Sequence, residues 1–426
     1  VEKGWKRLQV SWSRFCKNEA AQEFVSNRIR LNFQSSTERR THPLCELLQQ
    51  HTWSAVLTKN QQNGEDMNIR LVKQIRFTVM MVIVTALGLG LVTTSALAAK
   101  KVRWKVPIAF SSKLPGLGTN VAFASEQIKA ITNGDMDLKV YEPNKLIPPF
   151  EILDAVSNGK VKAGYTWIGY DEGKIPSLPL FSAVPFGMEP WEFTAWTYFA
   201  GGDKMLDKIY QGSGKNVHAE LCGIMGPETA GWFRFPIKSL DDFKGLKIRF
   251  AGLGGQVLSK LGASVTMLPG GELYAALEKG TIDATEFSMP AIDQLLGFHK
   301  VVKYNVFPGW HQSFTALHLI INKKAWDDLN TSQKAIVSTT CMAATLRGMS
   351  EGEAAQGDII AGFPAKGVTA QKLPIPVLRE LKRVTDEVLE ENAVKDADFK
   401  MAWESQKAFS KNYSLWKNLG YLPRDF

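Results

Sequence analysis

Between residues 101 and 322 short apolar runs alternate with segments whose apolar positions return every third or fourth residue. The first run, residues 101–110 (KVRWKVPIAF), reads as a strand. A loop rich in Ser, Gly and Pro follows, and Thr119 opens a helix with Val121, Ala124, Ile128 and Ile131 on one face. Residues 138–141 and 161–167 read as further strands, with a helix over 150–157 between them. Residues 179–188 are a compact apolar segment, 191–200 and 205–211 helices, and 217–225 a strand. Residues 243–252 form a turn, a short strand and a glycine-rich bend. A helix over 256–261, a strand over 264–268, a helix over 271–279 and a turn and strand over 280–287 come next. Residues 292–300, 304–310 and 314–322 continue the alternation. Strands interleaved with helices predict an α/β fold with a mainly parallel, doubly wound sheet. Ligands in such sheets bind beyond the C-terminal strand ends, where Tyr165 and Trp167 stand.

From Lys323 the pattern lengthens. Residues 325–360 predict one or two long helices with a break at 327–333, and 368–373 a short strand. Residues 376–419 predict one long amphipathic, charge-rich helical stretch. That stretch can lie across two lobes or pair with a second copy of the chain. No internal repeat is present.

The charged positions are unevenly placed. The chain of 426 residues carries a net charge of +9, but residues 100–426 hold 38 Lys/Arg against 35 Asp/Glu. The basic balance therefore gives no argument for a nucleic-acid partner. Residues 67–98 explain part of it: Arg70, Lys73 and Arg76 precede an apolar run over 77–91 and the small-residue end Ala96-Leu97-Ala98. This is the pattern of a secretory signal peptide cleaved near Ala98, shorter in its apolar part than a membrane-spanning helix. Residues 1–66 are polar and without period. They read as an extension outside the translated protein, with translation starting at Met67 and Val1 marking a GTG codon. The domain organisation expected is an extension over 1–66, a signal peptide over 67–98 and a binding unit over 99–426. Of the four cysteines, Cys222 and Cys341 lie in that unit; they can pair in an oxidising compartment, but nothing requires it, and they read as buried small hydrophobes.

Candidate chemistry is sparse. Gly252-Leu253-Gly254-Gly255 lacks the third glycine and the distal acid of a dinucleotide loop. Ser157-Asn158-Gly159-Lys160 lacks the companion motifs of a serine hydrolase. His299, His311 and His318 have no metal-ligand spacing and read as surface or half-buried residues. Arg249 at a strand end is either a structural ion pair or a carboxylate clamp, since a fixed guanidinium presents a planar fork. Glu286-Phe287, also at a strand end, and Glu228 are candidate acids. Trp232, Trp167, Tyr165 and Trp310 are candidate walls, together suiting a small anion with or without a cation. No activated nucleophile or acid–base pair is present, so an enzyme acting on a carboxylate is the weaker alternative to a binding protein.

Three stretches carry a family resemblance: residues 243–249 (FKGLKIR), 271–284 (GELYAALEKGTIDA) and 323–329 (KKAWDDL). With them, residues 100–426 resemble the periplasmic solute-binding proteins of tripartite ATP-independent periplasmic (TRAP) transporters of the DctP type. Residues 183–188 (AVPFGM), Gly231-Trp232-Phe233, Glu286-Phe287 and Pro308-Gly309-Trp310 are similar to the branch that takes 2-oxo and 2-hydroxy monocarboxylates. The resemblance implies a two-lobed periplasmic binding protein fold with long C-terminal helices. It implies Arg249 on the substrate carboxylate, and Glu228, Glu286, the Phe287 main-chain oxygen and Gln312 around a cation, calcium or sodium, and the ligand's polar end. Two positions depart from it, with Glu228 where Gln is usual and Phe287 where Trp is usual; the added charge at Glu228 favours a divalent cation such as calcium, or a ligand with an extra donor. Sugar acids or dicarboxylates remain open as ligands. The partners implied are the TRAP membrane subunits, or a sensor in a related reading; the amphipathic C-terminal helical stretch leaves a second copy of the chain open as a further partner.

Overall fold

The computed structural model describes residues 101–423, so the readings made for the extension and the leader lie outside it. Strands β1 (Val102–Pro107), β2 (Met136–Tyr141), β3 (Ala163–Thr166), β4 (Val217–Met225) and β10 (Thr315–Asn322) make one lobe. β1 pairs in parallel with β2, and a parallel bridge from Ile108 to Tyr165 joins β1 to β3. β10 then runs antiparallel between β3 and β4. The second lobe is a six-stranded sheet in the order β11-β9-β5-β8-β6-β7, formed by β5 (Gly231–Phe233), β6 (Lys247–Arg249), β7 (Ser264–Thr266), β8 (Ala284–Thr285), β9 (Tyr304–Phe307) and β11 (Thr369–Lys372).

The expected mainly parallel sheet is corrected to two mixed sheets, and the reason is topological. Between β1 and β10 the chain passes between lobes twice, at residues 226–230 after β4 and at 308–314 after β9. β5 and β10, the strands entered directly from the other lobe, are the ones that run against their neighbours. All other pairs are parallel.

Helices α1 (Thr119–Ile131), α2 (Ile152–Ser157), α3 (Pro190–Phe199) and α4 (Gly202–Gly212) belong to the first lobe, and α5 (Gly252–Lys260), α6 (Leu273–Glu278), α7 (Pro290–Leu296) and α8 (Phe298–Val301) to the second. α9 (Lys323–Asp327) and α10 (Thr331–Ala361) are separated where the sequence predicted a break. There Asn330 and Gln333 form a reciprocal capping box that starts α10 afresh. α10 packs on β4 and α1 in one lobe and on α7 in the other.

The single stretch expected over 376–419 is two helices, α11 (Ile375–Lys395) and α12 (Ala397–Gly420). Asp396 is extended between them, and its carboxylate accepts from Phe399 N at 2.6 Å, which caps the second helix. α11 lies on α5, whereas α12 turns back onto α3 and α4, with Gln406 donating to Leu180 O and Trp196 Nε1 donating to Ser405 Oγ. The C-terminal helices thus strap both lobes. None of the helices among the described residues is long and apolar enough to cross a membrane.

Cys222 on β4 and Cys341 on α10 form a disulfide between positions 119 residues apart. The expectation of two buried thiols is corrected: both are buried, and the packing of α10 on β4 brings them into bonding range. Closing so long a loop removes unfolded-state entropy, so replacing both cysteines by alanine should cost about 2–5 kcal/mol. Chemical unfolding of the double variant against the oxidised wild type measures it; equal stabilities would contradict the account.

Candidate functional site

The two interlobe crossings run side by side. Glu228 N donates to Gln312 O at 3.1 Å, and Gly309 N donates to Glu228 O at 3.0 Å. A Cβ on Gly309 would lie 2.3 Å from Glu228 O, so the close approach that positions Glu228 needs glycine there. Glu228 is buried; its Oε1 accepts from the Thr315 hydroxyl at 2.5 Å, and Gln312 Nε2 donates to Thr315 Oγ1 at 2.8 Å. Glu228 Oε2 has no partner.

Arg249 reaches the same place from the end of β6. Its strand pairs with β8, and the chain leaves β8 directly into Glu286. The guanidinium is 1% exposed. Nη1 donates to Glu286 Oε2 at 2.5 Å and to Glu286 O at 2.9 Å, and Nε donates to Leu268 O at 3.1 Å. Glu286 Oε1 accepts from Ala251 N at 2.7 Å. The Phe287 ring lies 5.6 Å from the guanidinium carbon, and the Tyr170 phenol interacts with the same group. Of the two readings open for Arg249 from sequence, the structure shows the ion pair, with Nε and Nη1 already committed to protein oxygens.

A small cavity lies against these groups, lined also by Phe110, Leu117, Trp167 and Thr315. Its volume of about 20 Å³ is room for one water. Arg249 is the one cationic side chain among the described lining residues, facing two carboxylates. Burial and the Glu286 charge push the Glu228 carboxyl well above its ordinary range, against the opposing Thr315 bond and Arg249. Burial pushes Tyr170 up to about 12, with Arg249 opposing.

His311 is a further member. It was expected at the surface or half-buried, but it is 1% exposed, with Nε2 3.7 Å from Glu228 Oε2. Burial lowers its pKa to about 4, so it is neutral at physiological pH. His318 is likewise buried, and only His299 of the three is half-buried. Oxygen and nitrogen atoms of Glu228, Glu286 and His311 all lie within 4.8 Å of one another. With two carboxylates and three buried atoms lacking partners, Glu228 Oε2 and both His311 ring nitrogens, this donor set fits a cation.

The structure brings Glu228, Arg249, Glu286, Phe287, Gln312 and Trp167 together. It turns two predicted walls away. Tyr165 is fully buried and donates to Leu117 O at 3.0 Å, and Trp232 is fully buried with Nε1 donating to Asp293 Oδ2 at 2.8 Å. Both are packed within lobe cores. Trp310 stacks on Phe250 and faces a separate outer groove. Tyr170 and Phe110 were missed. The signal for Tyr170 was its place three residues after Trp167, since a 3₁₀ turn over Ile168–Asp171 brings the two rings within 5.1 Å.

A family model described as DctP, bacterial extracellular solute-binding protein family 7, matches residues 113–396. A monocarboxylate 2-oxoacid-binding periplasmic protein of Nostoc sp. is 35% identical over 321 residues, covering 75% of this chain and 87% of that protein. A TRAP periplasmic solute-binding protein of Colwellia psychrerythraea, solved with bound calcium and pyruvate, is 33% identical with a TM-score of 0.72, covering 75% of this chain and 98% of that one. Its counterpart from Pseudoalteromonas atlantica, with bound sodium and pyruvate, is 31% identical with a TM-score of 0.72, covering 75% and 97%.

The buried Glu228 makes stability depend on pH. A carboxyl whose folded pKa is raised loses its proton first in the unfolded chain, so the fold loses stability as pH rises above the unfolded value of 4.5 towards the folded one. Glu228→Gln keeps the shape and an acceptor for Thr315 but cannot ionise. In the presence of chelator, the variant should be more stable than wild type at pH 8 and similar at pH 5. Urea unfolding at both pH values tests this, and parallel pH dependences would count against it.

Proposed function

The chain belongs to the DctP family, bacterial extracellular solute-binding protein family 7, whose members are receptors rather than enzymes, and we propose that this one takes a 2-oxo or 2-hydroxy monocarboxylate together with a divalent cation. The observation that carries the reading is a single buried arginine facing two buried carboxylates where the lobes meet. Arg249 and a divalent ion balance the charges of Glu228, Glu286 and one ligand carboxylate. With sodium, neutrality would require Glu228 to stay protonated. The ligand's carboxylate docks on the remaining edge of the guanidinium beside Tyr170, because Nε and Nη1 hold Leu268 and Glu286. Phe110, Trp167 and Phe287 offer an apolar face to a short tail, and among the described residues no second cationic side chain lines the chamber for a dicarboxylate. The Nostoc relative's 2-oxoacids and the pyruvate of the two related structures support this class.

Closure of the lobes around the acid excludes water and strengthens its charge-assisted bonds. Ligand shifts the open–closed balance by its differential affinity for the two forms. The closed form is then the one that TRAP membrane subunits recognise in the periplasm.

Removing Arg249 outright would strand the Glu286 charge, at about 3–5 kcal/mol, so Arg249→Lys is the better variant. It keeps the charge and loses the fork. Its affinity for pyruvate, measured by calorimetry with saturating calcium and separately with zinc, should fall about 10–100-fold, the equivalent of one charge-assisted bond. Wild-type affinity in a folded variant would overturn the assignment.

The outer end of α12 and the residues after it expose Leu415, Trp416, Leu419 and Leu422. We read this ridge as the contact to a second copy of the chain, since so many large apolar side chains in one place mark an interaction surface. Sedimentation should show a dimer that Leu419→Glu with Trp416→Glu makes monomeric. A wild-type monomer at tens of micromolar would rule it out.

A further inference from the structure

His311 lies beside the chamber without lining it. Neither of its ring nitrogens has a hydrogen-bond partner, and Glu228 Oε2 opposite Nε2 has none either. A neutral imidazole carries one proton. With that proton on Nδ1, the Nε2 lone pair faces a carboxylate lone pair. With it on Nε2, the 3.7 Å separation is beyond hydrogen-bond reach. Either way desolvated polar atoms stay unmet, which folded proteins avoid. A cation between Nε2 and Glu228 Oε2 satisfies the two atoms that face each other. Bonds of about 2.0–2.2 Å to an imidazole nitrogen and a carboxylate oxygen span such a gap at an open angle. A Glu286 oxygen lies within 4.8 Å of both.

The ring is held in place by packing. Phe250 meets it edge to face with centroids 4.5 Å apart, and Trp310 lies at 5.7 Å. On α5 a Cβ at Gly254 would lie 2.8 Å from the His311 Cβ, so the helix closes against the ring only because glycine is there. The imidazole is therefore fixed beside Glu228.

We propose that His311 is the third protein donor of the cation site, with Glu228 and Glu286, and that the site therefore takes a first-row divalent ion of the zinc and cobalt type in preference to calcium or sodium. The proposal rests on the reading that this cluster holds a cation, and is independent of which acid binds. Calcium prefers shells made of oxygen, whereas imidazole suits zinc and its neighbours. With zinc or cobalt bound, the ring proton resides on Nδ1, and Nε2 and Glu228 Oε2, two of the three atoms without partners, are satisfied at once.

The test uses the chelator-stripped protein. Calorimetric titration with zinc, cobalt, calcium and sodium should give zinc at least about ten-fold tighter than calcium. His311→Asn, with its unfolding midpoint checked, should weaken zinc by about ten-fold or more while calcium changes less than about two-fold. Pulsed electron paramagnetic resonance of the copper-loaded wild type should show coupling to an imidazole nitrogen, which needs no variant. Preference for calcium, a variant that loses both ions equally or neither, or a copper spectrum without nitrogen coupling would each overturn the proposal. If the wild type binds calcium and pyruvate but is indifferent to His311, the receptor reading stands and only this inference falls. If it binds no divalent ion and no acid, both fall.

Discussion

The arrangement depends on keeping Arg249 charged and dry beside two glutamates. A lone buried guanidinium would be prohibitively costly, and three constraints remove that cost. Glu286 faces it directly, the Leu268 and Glu286 carbonyls take its remaining donors on that side, and aromatic rings cover it. What remains is an excess of acid, because Glu228 has no cation of its own among the described side chains. Burial and the Glu286 charge raise its affinity for a proton, with which an incoming cation would compete. The site is thus short of positive charge by construction. That shortage, rather than a shape complementary to one particular acid, defines what it can accept.

The topology places this deficit where it has mechanical consequences. Glu228 and Gln312 sit on the two crossings between lobes, His311 stands next to Gln312, and Arg249 and Glu286 hang from strand ends of the second lobe. Tyr170, Trp167 and Phe110 come from the first lobe. Any ligand that satisfies all of these groups must hold the crossings and both lobes in one relation. The strap made by α11 and α12, and the packing of α10 on both lobes, limit how far that relation can change. Binding and closure are therefore coupled through the residues that hold the ligand, without a separate transmitting element.

Particular residues show how far the sequence was legible. Most elements between 101 and 322 followed from the spacing of apolar positions, because each is short and buries one face. The parallel sheet was misjudged, since strand direction depends on where the chain crosses between lobes, and the crossing strands carry no local mark. The division at Asp396 was overlooked because the amphipathic pattern continues through it, with the cap formed by a side chain that resembles any surface acid. At the site, Arg249 and Glu286 were readable as charged residues at strand ends. Tyr165 and Trp232 were misassigned because an aromatic at a strand end looks alike whether it faces the cleft or the core. His311 was dismissed because its partners lie 25 and 83 residues away in the chain, and no local spacing reports on that.

By itself the sequence determined the alternation of strands and helices, the long C-terminal helices and, through three motifs, the family. These are properties of local pattern, where neighbours in the chain are neighbours in space. Only the tertiary structure decided that Arg249 is already ion-paired, that Cys222 and Cys341 are joined, and that a histidine completes the acidic cluster. Each depends on residues distant in sequence meeting inside a low-dielectric interior. There the cost of leaving a charge or a lone pair unmet selects partners that no spacing along the chain records.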